Sequence, residues 1–276
     1  MRPMFVFLSA KLVCEINEST YRAAALVELL HTATLVHDDV VDESMERRGF
    51  FSINAIWKNK IAVLVGDYLL SKGLLLSTAN EDFMHLHILS EAVKQMSEGE
   101  LLQIEKSRKL NLDEDVYFEI IRNKTASLLS SACAVGAYST GKDETKTEKM
   151  KLFGQKVGIA FQIKDDLFDY GKEDVGKPTG NDIREKKLTL PLIYTLNTID
   201  KNARRKIIYM LKNENKNKES INFIIESVIK AGGIKYAETK MNLYRDEALE
   251  ILYTFDASPV RSALEELVRF TTDRKY

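Results

Sequence analysis

Proline is scarce in this chain: four in 276 residues, with none between Met4 and Lys177. Proline breaks helix interiors, so its absence over that span leaves long helices unobstructed. Cysteine is scarcer still. Cys14 and Cys133 cannot build a disulfide framework, and their apolar sequence surroundings fit a reducing cytosol. Net charge is almost absent too, 40 basic residues against 41 acidic, which excludes a broad electrostatic pull toward nucleic acid or an acidic membrane surface. No apolar run is clean enough to cross a bilayer, because "IAVLVGDYLLSKGLLL" is interrupted by Asp67 and Lys72. The opening "MRPMFVFLSAKLVCE" has too short an apolar run before Lys11 for a secretory leader. These absences lead us to expect a soluble, cytoplasmic protein with no nucleic-acid partner and no stable membrane insertion.

At 45% hydrophobic residues, the chain can bury a large core. Apolar residues recur at helical spacing, as in Leu26, Leu29, Leu30, Ala33 and Val36, and nothing alternates like a half-buried strand. The pattern predicts an all-α protein of roughly ten or more helices, read as one domain over residues 1–276. Two stretches read as loops. "YGKEDVGKPTGNDIREKK" from Tyr170 to Lys187 concentrates Gly, Pro and charge, and "KNENKNKES" from Lys212 to Ser220 lacks apolar residues. Cys14, Cys133 and Trp57 read as packing residues, His85 and His87 as surface residues, and Arg274 with Lys275 as a frayed end.

The informative stretch is "LLHTATLVHDDVVDESMERRG", where Asp38, Asp39 and Asp42 stand among Leu, Val and Ala. On a helix, residues four apart share a face, so Asp38 and Asp42 point together with Asp39 beside them. The same DDxxD pattern returns in "FQIKDDLFDY" as Asp165, Asp166 and Asp169. At ordinary aspartate usage, one such match arises by chance in roughly one chain in twenty of this length; two should be far rarer. Carboxylate clusters without thiols suit hard, oxygen-seeking cations. Mg²⁺ in particular is held by one or two carboxylates plus waters and substrate phosphates. Without a cation, acids at this density among apolar neighbours would be destabilising. Cations stand near both motifs: Arg47 and Arg48 after the first, Lys177 and Lys187 after the second, with Lys124 in "NKTASLL". Arg clamps phosphate through its planar fork and Lys acts as a point charge, so the set reads as a polyphosphate site.

Taken in order, "HTATLVHDDVVDES", "RRG", "GDYLLSKG", "SEGELLQ", "KTASLLSSACAVGA", "FQIKDDLFDY" and "GKPTGNDIREKKLTLP" resemble the trans-polyprenyl diphosphate synthases, from about Arg2 to Pro191. The resemblance implies an isoprenoid-synthase fold, a single helical bundle around a deep central cavity, and a homodimer. It implies that Asp38, Asp39, Asp42, Asp165, Asp166 and Asp169 bind Mg²⁺, three ions with substrate present, together with an allylic diphosphate. It gives that diphosphate to Arg47, Lys124, Lys177 and Lys187, and isopentenyl diphosphate to Arg2, His31 and Arg48. Thr125 and Gln162 would lie near the reacting carbons. A second DDxxD, in place of an Asn/Ser/Glu triad, argues against a terpene cyclase. The implied product exceeds fifteen carbons, because Ala33 and Thr34, one turn before Asp38, are small where a short-chain synthase would carry an aromatic floor.

The resemblance is incomplete at the start. The family's isopentenyl-binding motif reads Gly-Lys-x-x-Arg-Pro; here only Arg2 and Pro3 remain, so weakened binding of that substrate is expected. Three other readings compete. A regulatory subunit of a heteromeric prenyl synthase would be expected to lose aspartates, and all six are present. An HD-type metal phosphohydrolase could use His31 and His37–Asp38, but leaves the second acidic motif unexplained. A di-iron bundle needs two Glu-x-x-His motifs, and only Glu28–His31 fits.

Overall fold

The computed structural model describes residues 1–47, 50–109, 113–171 and 180–274, without the side chains of residues 47, 108 and 109. The expectations placed on Arg48, Lys177 and Lys275, and on the Arg47 side chain, lie outside those described residues. Helices follow one another as α1 (Arg2–Val13), α2 (Glu18–Val41), α3 (Ile53–Ala79), α4 (Phe83–Lys109), α5 (Glu114–Ile121), a π-helical turn (Arg122–Ala126), α6 (Ser127–Gly141) and α7 (Glu144–Phe168). They continue as α8 (Asn181–Arg184), α9 (Leu190–Thr198), α10 (Lys201–Asn213), α11 (Lys218–Lys230), α12 (Gly233–Leu252) and α13 (Pro259–Asp273). A two-residue antiparallel pair, β1 (Glu46–Arg47) with β2 (Phe50–Phe51), links α2 to α3. The all-α expectation holds.

The three prolines among the described residues are placed where they cost nothing. Pro3, Pro191 and Pro259 lie in the first turns of α1, α9 and α13, where no intrahelical donor is lost. Side-chain caps define several other starts. Asn17 Oδ1 accepts from the backbone N–H of Thr20 at 3.1 Å to open α2, and Asp113, Asp200 and Asn217 do the same for α5, α10 and α11. The polar connector is therefore shorter than its composition suggests. Helix α10 runs through Asn213 and α11 starts at Lys218, because Asn217 serves as a cap. The Tyr170–Lys187 loop also contains helix, the single turn of α8.

The chain divides into two compact units, Met1–Val93 with Leu128–Lys151, and Lys94–Ser127 with Leu152–Tyr276. In the first, Val6, Leu26, Leu30, Leu89 and Val135 form an apolar core. Here α3 packs on α2 through small residues: Ala62, Gly66, Gly73 and Ser77 are its buried positions. A methyl group at Gly66 would overlap the His37 ring, so glycine is needed for this approach. The large residues of α3 point the other way, with Ile61, Leu64, Tyr68 and Leu75 exposed on one stripe. By length and composition this helix could cross a membrane, even with the two charges that interrupt its sequence, and little of it is buried. In the second unit, Phe118, Ile159, Ile163, Ile183, Leu192 and Ile224 belong to one apolar cluster that joins α5, α7, α8, α9 and α11.

Three single-residue expectations need correction. His85 is buried, at 2% exposure, because its ring packs against Tyr138 and beside the Arg22–Asp82 ion pair. Cys14, the C-cap of α1, is exposed, as is Trp57 on α3, so neither is a core packing residue. Cys133 is buried as expected; burial pushes its thiol up to about 12, which leaves it inert.

Candidate functional site

Asp38 and Asp39 occupy the last turn of α2, and Asp42 is its C-cap. The C-terminal end of a helix carries partial negative charge, and no basic residue stands in this last turn. Three carboxylates are thus gathered where the helix itself repels them. Asp39 is buried, Asp38 half-buried and Asp42 exposed. The chain that follows is fastened to the motif's backbone. The Asn54 amide donates to the carbonyls of Asp39 and Ser44, each at 3.1 Å, and the Ser44 N–H donates to the Asp39 carbonyl at 3.0 Å. Upstream on α2, His31 and Ala33 are buried and Thr34 half-buried, its hydroxyl donating to the His31 carbonyl at 2.9 Å. Arg2 sits half-exposed in the first turn of α1. His37 lies 3.3 Å from Asp67 on α3, away from His31's buried setting, and no HD-type cluster forms among the described residues.

The second motif repeats the arrangement at the end of α7. Asp165 and Asp166 lie in its last turn, which also has no basic residue, and Asp169 follows in the turn beyond. Asp166 is 6% exposed, and its two oxygens are held separately: the Tyr117 hydroxyl donates to Oδ2 at 2.7 Å and the Gln162 amide to Oδ1 at 2.8 Å. Burial, followed by repulsion from Asp182, pushes this carboxyl up to about 8, against the pull of its two donors. Asp169 is also held above the ordinary carboxylate range by burial, although it accepts from the backbone N–H groups of Asn181, at 2.7 Å, and Asp182, at 3.2 Å. Asp165 is the most open of the three and pairs with Arg274.

Lys124 and Thr125 stand on the π-helical turn between α5 and α6. Such insertions widen a helix locally and recur at functional sites. Gly99 of α4 makes room for this one, since a methyl group there would come within 2.7 Å of the Lys124 backbone nitrogen. The Lys124 ammonium pairs with Glu100 and lies 3.5 Å from the Gln103 side-chain oxygen. Thr125 donates to Gln162 Oε1 at 2.7 Å. A continuous chain therefore runs Thr125–Gln162–Asp166–Tyr117. Lys187 pairs with Glu185 at 2.5 Å.

Of the sequence-predicted residues, the structure joins Thr125, Gln162 and Asp166 directly. Arg2, His31, Ala33, Thr34, Asp38, Asp39 and Asp42 belong to the first unit, and Lys124, Thr125, Gln162, Asp165, Asp166, Asp169 and Lys187 to the second. Among the described residues, no group of three or more His, Cys, Asp or Glu side chains converges to hold a metal. The donor chemistry still fits a hard divalent cation. Each motif offers carboxylate oxygens alone at a negative helix end, and Mg²⁺ needs only one or two protein carboxylates when a phosphate supplies the rest. A pocket of about 820 Å³ in the first unit, lined by Ser19, Arg22, Asp82, His85 and Lys142 among others, contains none of the predicted residues.

Among the residues that touch the predicted set and escaped the sequence reading are Tyr117, Glu100, Gln103 and Arg274. Tyr117 stands seven positions before Lys124 in an apolar run and looks like core. Glu100 and Gln103 lie in the quoted "SEGELLQ" stretch, without any spacing that ties them to Lys124. Arg274, expected to fray, is well seated: its guanidinium packs on Phe161 and Phe168 and donates to Asp165.

Comparison with known proteins places these features in context. A family model described as Polyprenyl synthetase matches residues 1–228. Heptaprenyl diphosphate synthase component 2 of Bacillus subtilis (strain 168) is 35% identical, over 100% of this chain and 79% of its own length. The crystal structure of a decaprenyl diphosphate synthase from Rhodobacter capsulatus superposes with a TM-score of 0.94 at 36% identity, covering 100% of this chain and 85% of that one. A polyprenyl synthase from Caulobacter crescentus CB15, crystallised with calcium and isoprenyl diphosphate, gives 0.92 at 36% identity, covering 100% and 84%.

Proposed function

Because the chain belongs to the polyprenyl synthetase family and is a trans-polyprenyl diphosphate synthase, a prenyltransferase, we propose that it extends an allylic diphosphate with isopentenyl diphosphate in a Mg²⁺-dependent, head-to-tail condensation. The observation that carries this reading is the hydrogen-bonded chain from Thr125 through Gln162 to Asp166, which ties the Lys-Thr motif to the second acidic motif.

Asp38, Asp39 and Asp42 in the first motif, and Asp165, Asp166 and Asp169 in the second, are the carboxylates that would bind Mg²⁺, up to three ions with the diphosphate. Bound Mg²⁺ supplies positive charge to the departing pyrophosphate. Lys124 adds a further positive charge on the diphosphate, held by Glu100 and Gln103 until it is needed. Arg47, Lys177 and Lys187 complete the allylic diphosphate's cations; Arg2, His31 and Arg48 bind isopentenyl diphosphate. Thr125 and Gln162 present oxygens near the reacting carbons, where a developing allylic cation is stabilised by their dipoles. The isopentenyl double bond attacks that carbon, and the released pyrophosphate takes the proton lost afterwards, so no side-chain nucleophile is required.

The product is a medium-to-long chain, since Ala33 and Thr34 offer no aromatic floor one turn before Asp38. The exposed stripe Ile61, Leu64, Tyr68 and Leu75 is covered by a second copy of the chain, as a homodimer. A second reading, assembly with a different subunit, draws on the Bacillus subtilis relative being a "component 2".

The test is incubation of purified protein with Mg²⁺, farnesyl diphosphate and labelled isopentenyl diphosphate, followed by chromatography of the products. Label in prenyl diphosphates longer than fifteen carbons is expected. Label left entirely in isopentenyl diphosphate, with and without added partner subunits, contradicts the proposal.

A further inference from the structure

Resting on the reading of Asp165 as a metal ligand, we propose that Arg274 is the built-in counter-ion of the second acidic motif, a cation that occupies Asp165 until a divalent metal displaces it. The seat is made by one stripe of α7. Phe161, Asp165 and Phe168 recur at the four- and three-residue steps that bring side chains onto one helix face. The Arg274 guanidinium lies over the Phe161 ring at 4.1 Å and near the Phe168 ring at 5.3 Å, while Nη2 donates to Asp165 Oδ1. Its Nε donates back to the Thr271 carbonyl at 3.2 Å, which fixes the side chain to the end of α13. The Arg274 side chain is only 15% exposed, and a partly desolvated guanidinium gains from both aromatic faces and the carboxylate.

The electrostatics explain why a cation belongs there. The last turn of α7 brings two carboxylates to a negative helix end and has no basic residue of its own. Arg274 supplies that charge from another helix. A divalent ion on Asp165 would meet both an occupied oxygen and a like charge, so it must dislodge the guanidinium first. Metal bound without substrate is therefore held weakly. A metal–diphosphate pair, which brings its own negative charge to satisfy the displaced arginine, is favoured over metal alone. The contact makes Arg274 a positioning residue for Asp165, and a threshold against loading the site with metal before substrate arrives.

The test is binding of Mn²⁺ alone to the full chain, followed by the electron paramagnetic resonance signal of the free ion, in the absence of any diphosphate. Arg274→Gln should tighten the Mn²⁺ Kd roughly 2- to 5-fold, the upper range of an ion pair at a protein surface. Arg274→Lys, which keeps the charge and loses the fork and the stack, should fall between the two. The gain should vanish when Asp165→Asn is added, because the two residues act as a coupled pair. If Arg274→Gln does not fold, Phe161→Leu with Phe168→Leu loosens the seat without changing charge, and should tighten Mn²⁺ about 2-fold. Unchanged or weaker affinity in these variants overturns the inference alone. Absence of Mn²⁺ binding in every protein, wild type included, overturns the metal reading of Asp165 and the inference with it.

Discussion

Tyr117 donates its hydroxyl to Asp166 Oδ2 across 2.7 Å, and both residues are buried. Gln162 covers the other oxygen, so this carboxylate is oriented from two sides before any substrate arrives. Partners of this kind fix the direction in which a ligand carboxylate points. Tyr117→Phe should lower kcat by roughly 10- to 100-fold, the scale of losing such a partner. Steady-state kinetics at saturating isopentenyl diphosphate check this, and an unchanged kcat would mean that Gln162 alone suffices.

The pocket around His85 gives a pH dependence. Burial, partly offset by Asp82, holds the His85 imidazole below its ordinary value, with Arg22 and Lys142 adding to the depression. Burial also works against the Asp82 carboxylate, but the Arg22 hydrogen bond, the His85 charge and the Ser19 hydroxyl outweigh it and hold the group below its usual range. A histidine lowered by folding contributes stability in full above its unfolded value and loses it as pH falls. The His85 contribution to stability should therefore fall as pH drops from about 7 toward 5, while the raised carboxyls of Asp166 and Asp169 contribute in the opposite sense. His85→Gln removes the histidine's share, so the midpoint of the variant relative to wild type should rise as pH falls from about 7 to 5. Equal slopes in calorimetry would assign the acid sensitivity elsewhere.

Chain length tests the path behind Asp38. Ala33→Tyr places a phenol in a buried position about one turn, or roughly 6–8 Å, upstream of the motif. The product should shorten while the first condensation survives. An unchanged product ladder on thin-layer chromatography would show that the growing chain takes another route.

The exposed stripe of α3 tests the assembly. Leu64→Glu with Tyr68→Glu adds charge where two copies would meet, and should shift the protein from dimer to monomer in light scattering. Wild-type protein that is already monomeric at micromolar concentration removes the dimer.

The helices were legible because apolar spacing acts locally: Leu26, Leu30, Ala33 and Val36 recur at helical steps and are the buried face of α2. The two acidic motifs were legible because each lies at the end of its own helix, α2 or α7, and both repeat one spacing. What escaped depends on distance in the chain. Tyr117 reaches Asp166 across 49 positions and Arg274 reaches Asp165 across 109, and no local pattern encodes such a meeting. His85 was misplaced for the same reason. Its neighbours Arg22 and Tyr138 come from α2 and α6, and they bury a ring that helix periodicity left outside. In Lys212–Ser220, composition hid the short loop, because Asn217 looks like one more loop residue until it caps α11.

Mg²⁺-dependent prenyl transfer that needs both acidic motifs is the central claim. Single-turnover formation of prenyl product should be measured for wild type, Asp38→Ala and Asp165→Ala, each with Mg²⁺ and with EDTA. Each variant should lose at least about 10²-fold, the scale of removing a major electrostatic stabiliser, and EDTA should abolish product in all three. Wild-type turnover that persists in EDTA, or full activity in either variant, contradicts the account.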